Sequence, residues 1–266
     1  MAGSTSKRLL VIVPAYNEAR SLPGLIGELR AVPMALDVVV VDDGSRDGSW
    51  LVADRHGVAT LRNPFNLGIG GAMQTAYKYA VEEGYDIAVQ VDGDGQHRPD
   101  QIPLLLAPIL DGAADLAVGT RFREETSYRG SRVRRIGIGM FARVVSAIVG
   151  QRMTDTTSGF RAANRDVIRL FATQYPADYP EVETTTLVHR QGLRIVEVPV
   201  EMRLREIGES SITVIWSVYY VVKVLLALFV GIFRKPIVLP PERTRTVEVG
   251  AVSYTHLRAH ETREDL

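Results

Sequence analysis

Five short apolar runs spread over the first 120 residues set the tightest limit on what this chain can fold into. Residues 9–13, 38–41, 59–62, 87–91 and 116–118 are short and rich in Val, Ile and Leu. Runs of this kind read as strands buried on both faces. Between them, residues 22–30, 49–56, 72–83 and 102–110 space their apolar side chains by three and four, the helical period. Strand–helix alternation predicts an α/β fold, a mostly parallel sheet flanked by helices on both faces. Ligands of such sheets lie outside the carboxyl ends of the strands. The polar motifs of this chain follow its apolar runs.

Beyond Arg121 the pattern changes. Residues 121–135 are rich in Gly, Ser and Arg and lack periodicity, and an apolar helix is expected at 136–149. A Thr/Ser-rich loop at 154–162 leads to a short helix at 165–171, then a helix at 182–190 and a strand at 194–200. Nothing divides residues 7–211, which read as one domain. The opening MAGSTSKRLLVIVPAYNE has an apolar run that breaks at Pro14 and reads as a first strand, not a signal peptide. Residues 212–233 (ITVIWSVYYVVKVLLALFVGIF) carry Lys223 as their only charge. As a helix they would extend roughly 33 Å, near the thickness of a bilayer core. A hydrophobic membrane-associated helix over 212–235 is therefore expected, spanning, lying in the interface or packing against a membrane-protein partner. Residues 236–266 read as a disordered tail, and 252–266 (VSYTHLRAHETREDL) resemble a translated sequencing adaptor.

Composition narrows the function. Thirty-one basic side chains balance 31 acidic ones, which argues against a nucleic-acid partner. The absence of cysteine removes disulfides, thiolate nucleophiles and cysteine-held zinc, and fits a reducing compartment.

Four motifs carry chemistry. After the strand at 87–91 comes Asp92-Gly93-Asp94-Gly95-Gln96-His97. In an extended segment residues two apart point the same way, so Asp92, Asp94 and Gln96 can converge on one point. Two carboxylates and an amide oxygen are hard ligands suited to Mg2+ or Mn2+, with phosphate oxygens completing the shell. A polar turn is the plain alternative for this segment alone. Residues 38–49 (VVVVDDGSRDGS) place Asp42 and Asp43 at a strand end as nucleoside-binding candidates, and Ser45 or Asp47 as caps of the next helix. Pro14-Ala15-Tyr16-Asn17-Glu18 ends the first strand, with a flat ring in Tyr16 and a capping side chain in Asn17. In NPFNLGIGGAMQTA (63–76), Gly68, Gly70 and Gly71 precede a helix whose N–H groups could face an anion. A dinucleotide fingerprint would follow the first strand, and this one follows the third.

In this order PAYNE, VVDDGSRDGS, NLGIGGA, DGDGQH and TDTTSGFR resemble family 2 glycosyltransferases of the GT-A fold. Within them the chain is most similar to polyprenyl- and dolichyl-phosphate sugar transferases and polysaccharide-pathway relatives, over about residues 7–211. The resemblance implies an inverting transfer of a sugar from a nucleotide-diphosphate donor to a lipid-phosphate, glycan or glycolipid acceptor. The setting would be the cytoplasmic face of the cell membrane, in cell-envelope glycan synthesis. It implies a nucleotide pocket lined by Pro14, Tyr16, Glu18, Asp42 and Asp43, with Gly70 and Asp92 adjoining. A divalent metal would sit on Asp92, Asp94 and Gln96, and Arg121 and Arg205 would lie near phosphates. Lipid-phosphate transferases usually hold lysine at the place of Ser211, so an acceptor contact there departs from their pattern. A hydroxyl acceptor would need a base, for which Asp155 is the first candidate and Glu181 or Glu183 the second. The arginines at 121, 123, 129, 132, 134, 135 and 143 are either a solvated face or an acceptor loop facing head groups. Two other readings compete. A sugar-nucleotide nucleotidyltransferase would want a Gly-rich loop with Arg and Lys where this chain has PAYNEARS. A non-catalytic membrane-anchored scaffold would not need the intact acidic cluster.

Overall fold

The computed structural model describes residues 7–122 and 132–203 (132–138 by their backbone only), together with 223, 224, 226, 229 and 230. Seven strands form one sheet: β1 (Leu9–Ala15), β2 (Asp37–Asp42), β3 (Ala59–Arg62), β4 (Ile87–Gln90), β5 (Leu116–Thr120), β6 (Arg161–Asn164) and β7 (Ile195–Pro199). Their order is β3-β2-β1-β4-β6-β5-β7. Every pairing is parallel except those of β6, which runs antiparallel to both β4 and β5.

Among the described residues the helices α1 (Leu22–Ala31), α2 (Ser49–Arg55), α3 (Gly68–Glu82), α4 (Ile102–Leu110), α5 (Arg132–Val149), α6 (Arg165–Thr173) and α7 (Pro180–Arg190) cover the two faces. Period-two alternation in β1 divides the core. Leu10 and Ile12 pack with α3, α5, α6 and α7, while Leu9, Val11 and Val13 pack with α1, α2 and α4. Burying both faces of one strand requires the unbroken apolar run seen in the sequence.

The chain winds outward from β1 through α1, β2, α2 and β3, all on one face. It then crosses by α3 on the other face to β4, on the far side of β1. Strand order reverses between β1 and β4, and at such a switch point the carboxyl ends leave a crevice. PAYNE leaves β1 there and DGDGQH leaves β4.

The sequence expectation missed β6, reading its residues as the end of a loop and the approach to α6. Its four residues, Arg-Ala-Ala-Asn, offer too little apolar pattern to announce a strand. Because β6 runs backwards, its first residue, Arg161, lies level with Gln90 of β4 and Val118 of β5. The Thr154–Phe160 loop before it therefore reaches the same edge as the ends of the parallel strands.

Arg205, Ser211 and most of the hydrophobic segment 212–233 fall outside the described residues. Val224 is buried with the α3–α7 core cluster. Lys223 Nζ lies 3.1 Å from Asp178 Oδ2, and Leu226, Phe229 and Val230 are exposed. Among the described residues no helix is long and apolar enough to cross a membrane.

Candidate functional site

Hydrogen bonds from short polar side chains sew the first two motifs together. Asn17 N donates to Ser45 Oγ (3.0 Å), Glu18 N to Ser49 Oγ (2.8 Å) and Ala19 N to Asp47 Oδ2 (2.9 Å). Arg46 N returns a bond to Asn17 Oδ1 (2.9 Å). Asn17 takes φ of 58° to do this, a left-handed conformation that Asn tolerates better than most residues. Asn17 and Ser45, expected as helix caps, instead join the loop after β1 to the loop after β2. Asp47 does reach the start of α2, accepting from Ser49 N (3.0 Å). Burial pushes the Asp47 carboxyl up, but its hydrogen bonds from Ser49 and Ala19 outweigh this and hold it below the usual range.

The two acids of the second motif divide their tasks. Asp43 Oδ1 accepts from Asn63 Nδ2 (2.8 Å) and Leu67 N (2.9 Å), and Oδ2 accepts from Gly68 N (2.8 Å). The anion received by the N terminus of α3 is thus the protein's own carboxylate. Of the three glycines expected to face an anion, Gly68 gives its N–H to this carboxylate. A Cβ on Gly70 would collide with the backbone of Pro176 and Ala177, so Gly70 serves helix–loop packing. Asp43 likewise spends three acceptor positions on the loop after β3. Asp42 stands apart. It is fully buried and neither carboxylate oxygen has a hydrogen bond. Arg62 Nε lies 3.7 Å from its Oδ2, and the Arg62 guanidinium stacks on Trp50 at 4.5 Å.

The acidic cluster lies across the crevice from PAYNE. Gly93 N donates to Pro14 O (3.2 Å), and a Cβ on Gly93 would stand 2.9 Å from that oxygen. Glycine is required for this approach. Pro14 itself is buried, Tyr16 is 46% exposed beside it, and Glu18 accepts from Ser21 Oγ (2.7 Å). Asp92, Asp94 and Gln96 are all partly exposed. Gln90 Nε2 donates to Asp92 Oδ1 (2.9 Å), and Gln96 N donates to Asp94 Oδ1 (3.1 Å). His97 Nδ1 accepts from Asp92 N (3.0 Å), which leaves the ring proton on Nε2, 3.7 Å from Asp92 Oδ2. The ring is buried and stacked on Phe160 at 5.0 Å. Gln90 and His97, to which sequence reasoning gave no role, therefore orient the first carboxylate.

The loop before β6 closes on this cluster from the other side. A Cβ on Gly159 would meet Asp92 Oδ2 at 2.9 Å and Oδ1 at 3.1 Å. Only a glycine leaves the carboxylate room. Two carboxylates and an amide in an open crevice fit a divalent cation completed by diphosphate oxygens. Among the described residues no group of three or more His, Asp or Glu side chains could hold a metal ion by itself.

Asp155 is fully buried and clamped by Arg121 through Nε (2.6 Å), Nη2 (2.8 Å) and the backbone N (3.2 Å). Both oxygens of this base candidate are engaged by Arg121, the bidentate geometry of a structural ion pair. Arg121 in turn is anchored rather than extended to solvent.

Glu181 lies at the start of α7. Burial pushes its carboxyl above the ordinary value and its own backbone N–H works against the rise. Arg161 lowers it further and the charge on Asp92 adds to the rise. Glu181 keeps part of its surface open although its carboxyl is desolvated, and Glu183, one residue beyond the buried Val182, is partly exposed.

Arg161 is a residue that sequence reasoning left without a role. Its guanidinium is buried, and its donors go to neutral oxygens: Ser158 O, Thr156 O, Thr184 Oγ1 and Glu181 O. Uncompensated by a direct ion pair, it places positive charge between the Gly159 loop and α7.

Comparison with known proteins agrees with this geometry. Residues 10–171 match the model for glycosyl transferase family 2. The chain is 36% identical over 226 residues to the undecaprenyl-phosphate mannosyltransferase of Micrococcus luteus, covering 77% of this chain and 88% of that one. It is 31% identical over 218 residues to the polyprenol monophosphomannose synthase of Mycolicibacterium smegmatis, covering 78% and 82%. Among solved structures, glucosyl-3-phosphoglycerate synthase of Mycobacterium tuberculosis, in complex with Mn2+, UDP and glucosyl-3-phosphoglycerate, superposes with a TM-score of 0.67. That match has 20% identity and covers 85% and 80% of the two chains. The likeness shows the GT-A fold. The family model spans more than half of the sequence, including the motifs at the switch point, so the chain belongs to glycosyl transferase family 2 and is a glycosyltransferase.

Proposed function

We propose that this chain transfers a sugar from a nucleotide-diphosphate donor to a polyprenyl phosphate at the cytoplasmic face of a membrane, in cell-envelope glycan synthesis. The observation that carries the donor half is the meeting of Asp92, Asp94 and Gln96 with the PAYNE loop at the switch point. Asp92, Asp94 and Gln96 would hold the divalent metal. When bound, such an ion neutralises charge growing on the departing diphosphate. Gln90, His97 and Gly159 fix the Asp92 carboxylate for that task. Tyr16 offers a ring face to the nucleoside, and Asp42, buried without a hydrogen bond, is the acceptor for its N–H or hydroxyl groups. Pro14 and Glu18 border the same pocket.

On the acceptor side, the clamped Asp155 favours a nucleophile that arrives already ionised. A phosphate monoester needs positioning, not deprotonation, and the arginines of residues 123–135 would supply matching charge, with Arg121 held by Asp155 at the head of that segment. The relatives named for undecaprenyl-phosphate and polyprenol substrates support this choice. Displacement with inversion at the anomeric carbon follows from a single attack on the face opposite the diphosphate. The raised carboxyl of Glu181 supports a second reading, a hydroxyl acceptor with Glu181 as base. Arg205, Ser211 and the 212–235 segment complete the proposal as phosphate contacts and membrane attachment.

The test incubates purified protein with Mn2+, a panel of nucleotide sugars and a short-chain polyprenyl phosphate, and follows lipid-linked sugar. Transfer that survives chelation would remove the metal. Transfer to sugar hydroxyls in place of the lipid phosphate would favour the second reading.

A further inference from the structure

At the far side of the crevice, β7 carries a buried acid that the motifs do not announce. Glu197 is about 8% exposed. Its Oε1 accepts the N–H groups of Thr154 (2.7 Å) and Asp155 (2.8 Å), and its Oε2 accepts the hydroxyl of Thr154 (2.7 Å). Thr154 has one hydroxyl proton and gives it to Glu197. The 2.7 Å contact between the Thr154 and Thr120 hydroxyls must then be donated by Thr120. Thr120 Oγ1 in turn accepts from Phe122 N (3.2 Å). A one-way chain of hydrogen bonds therefore runs from Phe122 through Thr120 and Thr154 to Glu197. Beside it, Asp155, held by the other Glu197 oxygen, clamps Arg121.

Both residues at the head of segment 123–131 are fixed in this way, Phe122 by the hydroxyl chain and Arg121 by the ion pair. We propose that Glu197 is a positioning residue, whose carboxylate sets the Arg121–Phe122 corner against which the acceptor phosphate is held. The acceptor part rests on the function proposed above. A buried carboxylate is costly to desolvate, and an apolar residue would fill a β7 position at less cost. What the carboxylate adds is direction: as a pure acceptor it forces every proton in the chain to point toward it. Glutamine could keep the three loop contacts by donating from Nε2 to Thr154 Oγ1, which reverses that link and leaves one hydroxyl proton of the Thr120–Thr154 pair without an acceptor.

The experiment combines amide hydrogen exchange with acceptor kinetics on the full chain. In Glu197→Ala, protection of the Phe122, Thr154 and Asp155 amides should fall, each by about tenfold or more. The KM for polyprenyl phosphate should rise by about tenfold, while calorimetric affinity for nucleotide sugar with Mn2+ stays within about twofold, since additivity holds for distant sites. Glu197→Gln should restore protection of Thr154 and Asp155 and most of the acceptor KM. Thr120→Val cuts the chain at one link and keeps the fold even where Glu197→Ala does not. It should release the Phe122 amide and leave Thr154 and Asp155 protected. Unchanged protection in Glu197→Ala, or loss of all three amides in Thr120→Val, overturns the proposal. So does a donor affinity that falls as far as acceptor affinity, which a merely structural acid would produce. If the wild type transfers to no polyprenyl phosphate, the acceptor reading fails separately, and the exchange data still decide whether Glu197 holds the corner.

Discussion

At the carboxyl ends of β1 and β4, Asp92, Asp94 and Gln96 stand partly open to solvent. At the ends of β5 and β7, Arg121, Asp155 and Glu197 are buried and bonded into one loop. The difference follows from what each side has to do. On the open side carboxylate charge is tolerated because water reaches it, which suits the grip on a cation and a diphosphate proposed for it. A group that must hold an arginine at a fixed angle does so best where water is excluded and each oxygen has a partner. Substitutions on the two sides should therefore separate activity from stability.

The largest effect is expected from Arg121→Met. It leaves Asp155 buried beside Glu197 without its cation, and breaking such a pair costs about 3–5 kcal/mol. Urea unfolding should show this as a lower midpoint with unchanged slope. Little or no loss would mean that Asp155 is solvated, and the contrast between the two sides would weaken. Next in size is Asp94→Ala on the open side. Turnover should drop roughly 100- to 1000-fold, the scale for removing one element of leaving-group stabilisation, with the melting temperature unchanged. Normal turnover would refute the metal assignment, and a destabilised fold would erase the contrast.

How far each side could be read from sequence parallels its chemistry. Asp92, Asp94 and Gln96 follow β4 within one short segment, so their proximity is legible in the sequence, although the chain turns at 93–95 instead of extending. The strand–helix alternation implied a ligand edge at the strand carboxyl ends, while the reversal between β1 and β4 came from the structure. Asp155 and Arg121 are 34 residues apart, and Glu197 is a further 42 beyond Asp155. Their pairing depends on β6 slipping backwards between β4 and β5, which four residues of weak pattern do not reveal. Sequence alone thus offers Asp155 as a base candidate without showing that Arg121 holds it. Gly70 is ambiguous for a similar reason, since a glycine before a helix signals close approach without saying to what. Here it is the backbone of Pro176 and Ala177.

Gly159→Ala probes where the two sides touch. The new methyl would stand about 3 Å from both Asp92 oxygens, so either the carboxylate or the loop shifts. Overpacking of this kind costs about 1–3 kcal/mol, and it should appear chiefly as weaker Mn2+-dependent donor binding in calorimetry. If stability falls and donor binding does not, the loop has yielded and the carboxylate has held its place.

The smallest effect belongs to Glu181, and its sign is informative. Its carboxyl is raised above the ordinary 4.5, first by burial, against the pull of its own backbone N–H and of Arg161, with the charge on Asp92 adding to the rise. The folded state thus holds this proton more tightly than the unfolded chain does. That contribution to stability is fully present below pH 4.5 and is lost as pH rises through the folded-state value. Glu181→Gln keeps a neutral side chain of the same shape at every pH. Its melting temperature should exceed that of the wild type at neutral pH, and the two curves should meet in acid. Added Mn2+ should narrow the gap at neutral pH, because a cation on Asp92 offsets the negative charge that Glu181 faces. A gap that ignores the metal would place Glu181 outside the reach of the Asp92 site and remove it as a base for any acceptor there.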